Sequence, residues 1–248
     1  MSEDAPATDS DVTEVVFLGT NNVGRRVYDW LCDRDSVAVR AMLTEADQLS
    51  LVADLDPELV VAVGFRHIVP PEILAVPDRG CLNLHPGLLP QTRGFNPNVW
   101  SIVEGHPAGA TLHYMDDGVD TGDVIARKRV EKRFDDTGRD LYERLERACF
   151  ELFTETWPDV EAGTVEAEPQ DDTEATTHRK SDFADLCELD PDDEYTVKEL
   201  LDVLRALTFP PFDNARVEVD GETYFVDVDV RHEDDADEDA EFGTLSSY

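Results

Sequence analysis

Asn83 and His85 lie two residues apart, and Pro86 follows directly. In an extended strand, residues i and i+2 leave the same face. A proline has no N–H to donate and closes such a strand. A carboxamide and an imidazole therefore project together from one strand end. Further on, Asp116-Asp117-Gly118-Val119-Asp120 follows an apolar stretch that contains His113 and can bring a carboxylate to the imidazole. Amide, imidazole and carboxylate together suit acyl transfer. The amide stabilises a developing oxyanion, the imidazole moves protons, and the carboxylate orients the ring and favours its charged form. Taken alone, a strand-end histidine is more often structural, and Asp116, Asp117 and Asp123 compete with Asp120 for the role of acid. No HExxH or comparable ligand spacing occurs, so no metal is expected.

The elements that must hold these residues are legible as runs and periods. Val15-Val16-Phe17-Leu18, ending at Gly19, is a short continuous apolar run of the kind that forms a buried parallel strand. A helix is expected from Val23 to Cys32, with Val27, Trp30 and Leu31 on one face. Further strands are expected over Val37–Leu43, Leu59–Val63, Gly80–His85, Ala108–Met115 and Val124–Val130. The period of Leu141, Leu145, Ala148 and Leu152 predicts a long amphipathic helix from Arg139 to Trp157. Strands alternating with helices make this an α/β chain with a mostly parallel sheet of Rossmann-like topology. Ligands in such sheets bind at the carboxyl ends of the strands, which is where Asn83 and His85 fall. The turn from Gly19 to Gly24 lacks the G-x-G-x-x-G dinucleotide pattern and reads as a plain strand-to-helix turn.

Past the long helix, residues 166–178 are polar and acidic and read as a linker. Thr196-Val-Lys-Glu199 is a capping box that opens a helix to Leu207, before Pro210 and Pro211. Asp220-Gly221 then joins two alternating segments as a hairpin. A helix and a hairpin are too small for an independent core, so residues 179–231 are expected as a small C-terminal subdomain packed on a main domain over 13–165. Residues 1–12 and 232–248 are acidic, poor in apolar residues, and expected to be disordered tails.

The chain of 248 residues carries 57 acidic and 21 basic residues, net -36. Lysine occurs only at Lys128, Lys132, Lys180 and Lys198. Such self-repulsion opposes compaction at low salt and is screened at molar salt, which points to a high-salt cytoplasm. It argues against nucleic-acid partners, whose phosphates need clustered Lys and Arg. No apolar run approaches the ~20 residues that span a bilayer, and the acidic start is no secretory signal. A cytoplasmic location with no membrane partner is expected. Cys32, Cys81, Cys149 and Cys187 are scattered, with no CxxC, and read as free thiols.

The run Cys81-Leu-Asn83-Leu-His85-Pro-Gly-Leu-Leu-Pro90, then Arg93-Gly94 and Pro97, resembles the signature of the folate-dependent formyltransferase family. So do Gly109-Ala-Thr-Leu-His113-Tyr-Met and Val119-Asp120-Thr-Gly122-Asp123. The resemblance covers about Val15 to Lys132. It implies 10-formyltetrahydrofolate as co-substrate, no metal, and Asn83, His85 and Asp120 as the catalytic residues. It further implies that the loop His67-Ile68-Val69 and the segment Asp116-Asp117-Gly118-Val119 line the folate pocket, with His113 nearby. Two positions depart from the family pattern: Gly87 stands where a serine is usual, and Phe95 where some sugar-modifying members carry an arginine. The segment Leu204 to Ala215 resembles sugar N-formyltransferases, so the implied acceptor is a nucleotide-linked aminosugar, and a homodimer is expected because such enzymes are often dimers. The alternatives are a methionyl-tRNA or glycinamide ribonucleotide formyltransferase and a non-catalytic folate or nucleotide-sugar binding protein. The tRNA enzyme carries a basic insertion after its second strand, where this chain has the short, acidic stretch Arg40 to Ser50. It also has a full C-terminal barrel, for which this chain is expected to have no room.

Overall fold

The structure, a computed structural model, describes residues 12–235. The acidic tails expected over 1–12 and 232–248 lie outside the described residues except for Val12 and 232–235. The chain begins with β1 (Thr13–Leu18), α1 (Asn22–Cys32), β2 (Val37–Leu43), α2 (Leu51–Leu55), β3 (Leu59–Ala62), α3 (Pro71–Leu74) and β4 (Cys81–His85). A short β5 (Arg93–Gly94) and α4 (Pro97–Val103) lead to β6 (Ala108–Tyr114), β7 (Val124–Val130) and α5 (Gly138–Ala162). Then come β8 (Thr177–His178), α6 (Lys180–Cys187), β9 (Glu188–Leu189), α7 (Val197–Leu207), β10 (Arg216–Val219) and β11 (Glu222–Phe225).

Six strands form one sheet in the order β2-β1-β3-β4-β6-β7. The first four are parallel, β6 adds antiparallel to β4, and β7 adds antiparallel to β6, so β6 alone runs against the rest. Because strand side chains alternate, β1 divides its residues between two cores. Val15 and Phe17 pack with Val27, Leu31, Phe153 and Trp157 on the face covered by α1 and α5. Val16 and Leu18 pack with Val52 and Ile73 on the face covered by α2 and α3. Burial on both faces is why β1 and β3 read as unbroken apolar runs. The register between β4 and β6 matters most for function: it sets Asn83 opposite His113 and His85 opposite Thr111.

Helix α5 starts from a Thr137–Asp140 capping box, runs through Pro158 to Ala162, and ends at Gly163 with φ 67°. Trp157 and Val160, both buried, anchor this last turn past the end expected at Trp157. The C-terminal unit docks on a further core in which α7 and α4 meet α5, through Val99, Ile102, Leu145, Val203 and Leu207. Its hairpin turns on Asp220 and Gly221, both at positive φ (54° and 82°), the backbone that a two-residue turn of primed type requires.

Residues 166–178, read from sequence as a linker, are a strap held against the main domain. Glu168 exchanges two backbone hydrogen bonds with Val124, of 2.8 and 2.9 Å. Further along, β8 pairs in parallel with β5, just beyond the strand that carries His85.

Candidate active site

Asn83, His85 and Asp120 converge at the carboxyl end of β4, and His113 joins them from β6. Asn83 Nδ2 lies 3.1 Å from His113 Nε2 and 3.2 Å from Asp120 Oδ1. A carboxylate only accepts, so the amide nitrogen must face it. His113 Nδ1 is 2.7 Å from the Tyr114 carbonyl, which requires the proton on Nδ1 and leaves Nε2 as the acceptor for Asn83. His85 Nε2 is 3.0 Å from the Thr92 carbonyl and so carries the proton of the neutral ring. Its Nδ1 faces Asp120 Oδ2 at 3.4 Å. Asp120 also accepts the Gly94 backbone N–H at 2.8 Å and sits at φ 55°.

These contacts set the titration of the pair. The His85 side chain is buried, and desolvation depresses its pKa below the ordinary histidine value, against the pull of the Asp120 carboxylate. Burial of Asp120 favours its neutral form. His85 and the Gly94 N–H outweigh that and hold it below the usual carboxylate range. At neutral pH the site therefore presents a neutral imidazole beside a fixed negative charge. That is a ring ready to take up a proton in a transition state, next to amide and imidazole N–H groups able to turn toward an oxyanion.

The rival acids do not reach this cluster. Asp116 Oδ1 accepts from Gly118 N (3.1 Å) and Thr121 Oγ1 (2.5 Å), and so shapes the loop that presents Asp120. Asp117, Gly118 and Val119 are exposed on that loop, as is Asp123 at its end. On the other side, Ile68 is 81% exposed, whereas Val69 is buried in the core beneath the loop and offers only its backbone. His67 packs edge-on against Phe65, with ring centroids 5.2 Å apart. With Gly19, Thr44, Gly64 and Arg66 it lines a cavity of about 340 Å³ at the carboxyl ends of β1–β3. Among the described residues no group of three or more His, Cys, Asp or Glu is arranged to hold a metal.

At Gly87 a Cβ would stand 2.5 Å from His85 Nε2 and 2.7 Å from Thr92 Oγ1. The ring lies where a side chain at 87 would be, so this departure from the family pattern goes with the placement of His85. Phe95, the second departure, stacks edge-on with Phe183 of α6 at 5.6 Å.

Sequence reasoning missed the residues that support the site from the strap. Gln170 donates through Nε2 to the carbonyls of Asp120 (2.9 Å) and Gly122 (2.7 Å). Its Oε1 accepts from Arg93 Nε (3.1 Å) and Nη2 (2.8 Å). Thr176 accepts the Thr92 N–H at 2.9 Å. Gln170 lies 50 residues from Asp120 in a polar stretch with no period, and nothing local to its sequence marks it.

The fold and site define a mostly parallel α/β domain that carries an amide–imidazole–carboxylate cluster at the carboxyl end of β4. Residues 27–156 match the family described as "Formyl transferase", and the chain belongs to that family. Residues 182–232 match the "N-formyltransferase dimerization C-terminal domain". The chain is 36% identical over 135 residues to a methionyl-tRNA formyltransferase of Agathobacter rectalis, covering 54% of this chain and 44% of that protein. It is 38% identical over 138 residues to the Bacillus subtilis methionyl-tRNA formyltransferase, covering 55% and 43%. It thus spans less than half the length of these curated relatives. Among solved structures, a 4-N formyltransferase from Francisella tularensis superposes with a TM-score of 0.81 at 25% identity, covering 90% of this chain and 100% of that one. The formyltransferase PseJ from Anoxybacillus kamchatkensis, solved with UDP-4,6-dideoxy-4-formamido-L-AltNAc and tetrahydrofolate, gives 0.61 at 30% identity, covering 68% and 87%.

Proposed function

We propose that the protein transfers a formyl group from 10-formyltetrahydrofolate to the amine of a small acceptor, a nucleotide-linked aminosugar. The observation that carries the reaction is the convergence of Asn83, His85 and Asp120 in a chain of the formyl transferase family. The unprotonated amine attacks the formyl carbon, and the carbonyl becomes an oxyanion. Asn83 Nδ2–H and His85 Nε2–H, held in the free protein by Asp120, His113 and Thr92, turn toward that oxygen. His85 assists proton movement from the incoming amine to the departing folate nitrogen, and Asp120 stabilises the charged ring as it forms. Ile68 and Val119, exposed on opposite loops, are read as the apolar contacts of the folate ring system, with His67, the Val69 backbone and Asp116 to Gly118 around them.

The acceptor class rests on structural match and charge. The match to the Francisella structure runs over 90% of this chain with a TM-score of 0.81 at 25% identity, against 86% with a TM-score of 0.68 at 18% identity for a methionyl-tRNA formyltransferase from Clostridium thermocellum. A net charge of -36 is also unfavourable to a tRNA. The tRNA reading is favoured by the names of the sequence relatives, while the tRNA formyltransferase among the solved structures shares the fold at 18% identity. We read the C-terminal unit as the contact of a homodimer, in keeping with the domain it matches. The charge points to a high-salt cytoplasm. Among the described residues no helix is long and apolar enough to cross a membrane.

The test is a formyl-transfer assay in multimolar KCl with 10-formyltetrahydrofolate. A panel of nucleotide-linked aminosugars would be set against glycinamide ribonucleotide and methionyl-tRNA. Turnover on a sugar, lost in His85→Ala, is the expected result. Turnover on methionyl-tRNA alone would overturn the acceptor class, and folate binding without transfer to any amine would overturn the reaction.

A further inference from the structure

The Asp120 side chain is 12% exposed, the residue sits at positive φ, and it lies on a loop whose residues 116–119 are exposed. Something other than that loop must hold its carboxylate on His85. From the strap, the Gln170 side-chain amide reaches the Asp120 backbone, and all four of its hydrogen-bonding positions are filled. Two donors go to the carbonyls of Asp120 and Gly122, and two lone pairs go to Arg93. Carbonyls only accept and guanidinium only donates, so the amide can sit in one orientation alone.

Arg93 is buried and carries its other contact to Asp172 at 2.8 Å, again on the strap. The next residue, Gly94, gives its N–H to the Asp120 carboxylate. The bonds close into a ring: Gln170 holds the Asp120 backbone, the Asp120 side chain holds Gly94, and Arg93 returns to Gln170. On the far side of Arg93, Thr92 is held by Thr176 of the same strap while its carbonyl takes the His85 proton. Both ends of the His85 ring therefore rest on groups that the strap fixes.

We propose that Gln170 is the positioning residue of this site, clamping Asp120 to the Arg93–Gly94 segment so that the carboxylate stays on His85. This rests on the formyl-transfer reading for its kinetic consequence but not for its structural one. A misplacement of about 1 Å in a catalytic group can cost about 100-fold in rate, and loss of the clamp is expected to act on that scale.

The test uses the full chain in three forms: wild type, Gln170→Ala and Gln170→Glu. Glutamate keeps an acceptor for Arg93 but has no donor for the two carbonyls, so both variants are expected to lose about 100-fold in kcat with the KM for the formyl donor unchanged. The second readout is the NMR titration of the His85 ring. In Gln170→Ala the loosened carboxylate leaves burial unopposed, and the ring is expected to titrate at lower pH than in wild type. If Gln170→Ala does not fold, Gln170→Glu decides by kcat alone. Wild-type kcat in either folded variant overturns the proposal, as does an unmoved His85 titration in Gln170→Ala or an effect confined to melting temperature. If wild type transfers no formyl group at all, the proposed function fails and the His85 titration still decides the clamp.

Discussion

At the scale of single residues, the i, i+2 pair Asn83 and His85 was readable because a strand end has only one geometry. The choice among four aspartates was not readable from spacing, because loop conformation decides it, and only the family resemblance pointed to Asp120. Asp116 is consumed by its own turn, and Asp120 alone reaches the imidazole. His85→Ala and Asp120→Ala are each expected to lower kcat by about 10²–10⁴, while Asp123→Asn, on an exposed side chain outside the cluster, keeps wild-type turnover. Equal losses in all three would place the acid elsewhere. The pair also fixes a sign for pH. The folded pKa of Asp120 lies below its unfolded value, so its contribution to stability is complete above the ordinary carboxylate range and is lost as pH falls through the folded pKa. His85 is depressed as well. The unfolded chain takes up the proton first, and stability begins to fall below about pH 6.5. Denaturant titrations from pH 8 to pH 4 are expected to show stability declining toward acid, and more steeply in Asp120→Asn, where no carboxylate opposes the depression of His85 by burial. A rise toward acid would contradict the assignment of a neutral resting ring.

Among the elements, the parallel strands were legible because burial on both faces leaves unbroken apolar runs, and α7 because Thr196 and Glu199 form a capping box. Helix α4 was not. Pro97 to Ile102 are all buried, so no polar face gives the segment a period. The strap was missed for the opposite reason: its side chains are polar, and its partners are backbone groups of distant loops. The docking of α7 rests partly on another feature invisible in sequence, the buried pair Asp202–Arg205. Arg205 Nε donates to Asp202 Oδ1 at 2.9 Å, and its Nη1 reaches the carbonyls of Asp136 (3.0 Å) and Arg133 (3.3 Å) ahead of α5. Removing one member strands the other's charge. Asp202→Ala is therefore expected to cost about 3–5 kcal/mol by urea unfolding, whereas the paired change Asp202→Leu with Arg205→Met costs far less. A small effect of Asp202→Ala would mean that the carbonyls alone satisfy Arg205.

For the whole molecule, composition was read directly, but where the apolar surface gathers needed the fold. Phe212, Val219, Tyr224 and Phe225 of the C-terminal unit are exposed, on a molecule that otherwise carries net -36. If they are the contact of the proposed dimer, Tyr224→Asp with Phe225→Asp yields a monomer by sedimentation, and an unchanged sedimentation coefficient moves the contact to another face. The charge makes a separate demand. Surface carboxylates repel over the Debye length, which shrinks from about 10 Å at 0.1 M salt to about 3 Å at 1 M. The melting temperature is therefore expected to climb steeply with KCl up to about 1 M and flatten beyond, with NaCl equivalent to KCl because screening depends on ionic strength. The triad should not follow that curve. His85 and Asp120 are enclosed and 3.4 Å apart, and salt screens buried pairs far less than exposed ones. The acidic limb of the kcat profile is accordingly expected to stay in place from low to molar KCl, measured where the protein is folded at both. A limb that moved with the melting temperature would show the site exposed to the same field as the surface.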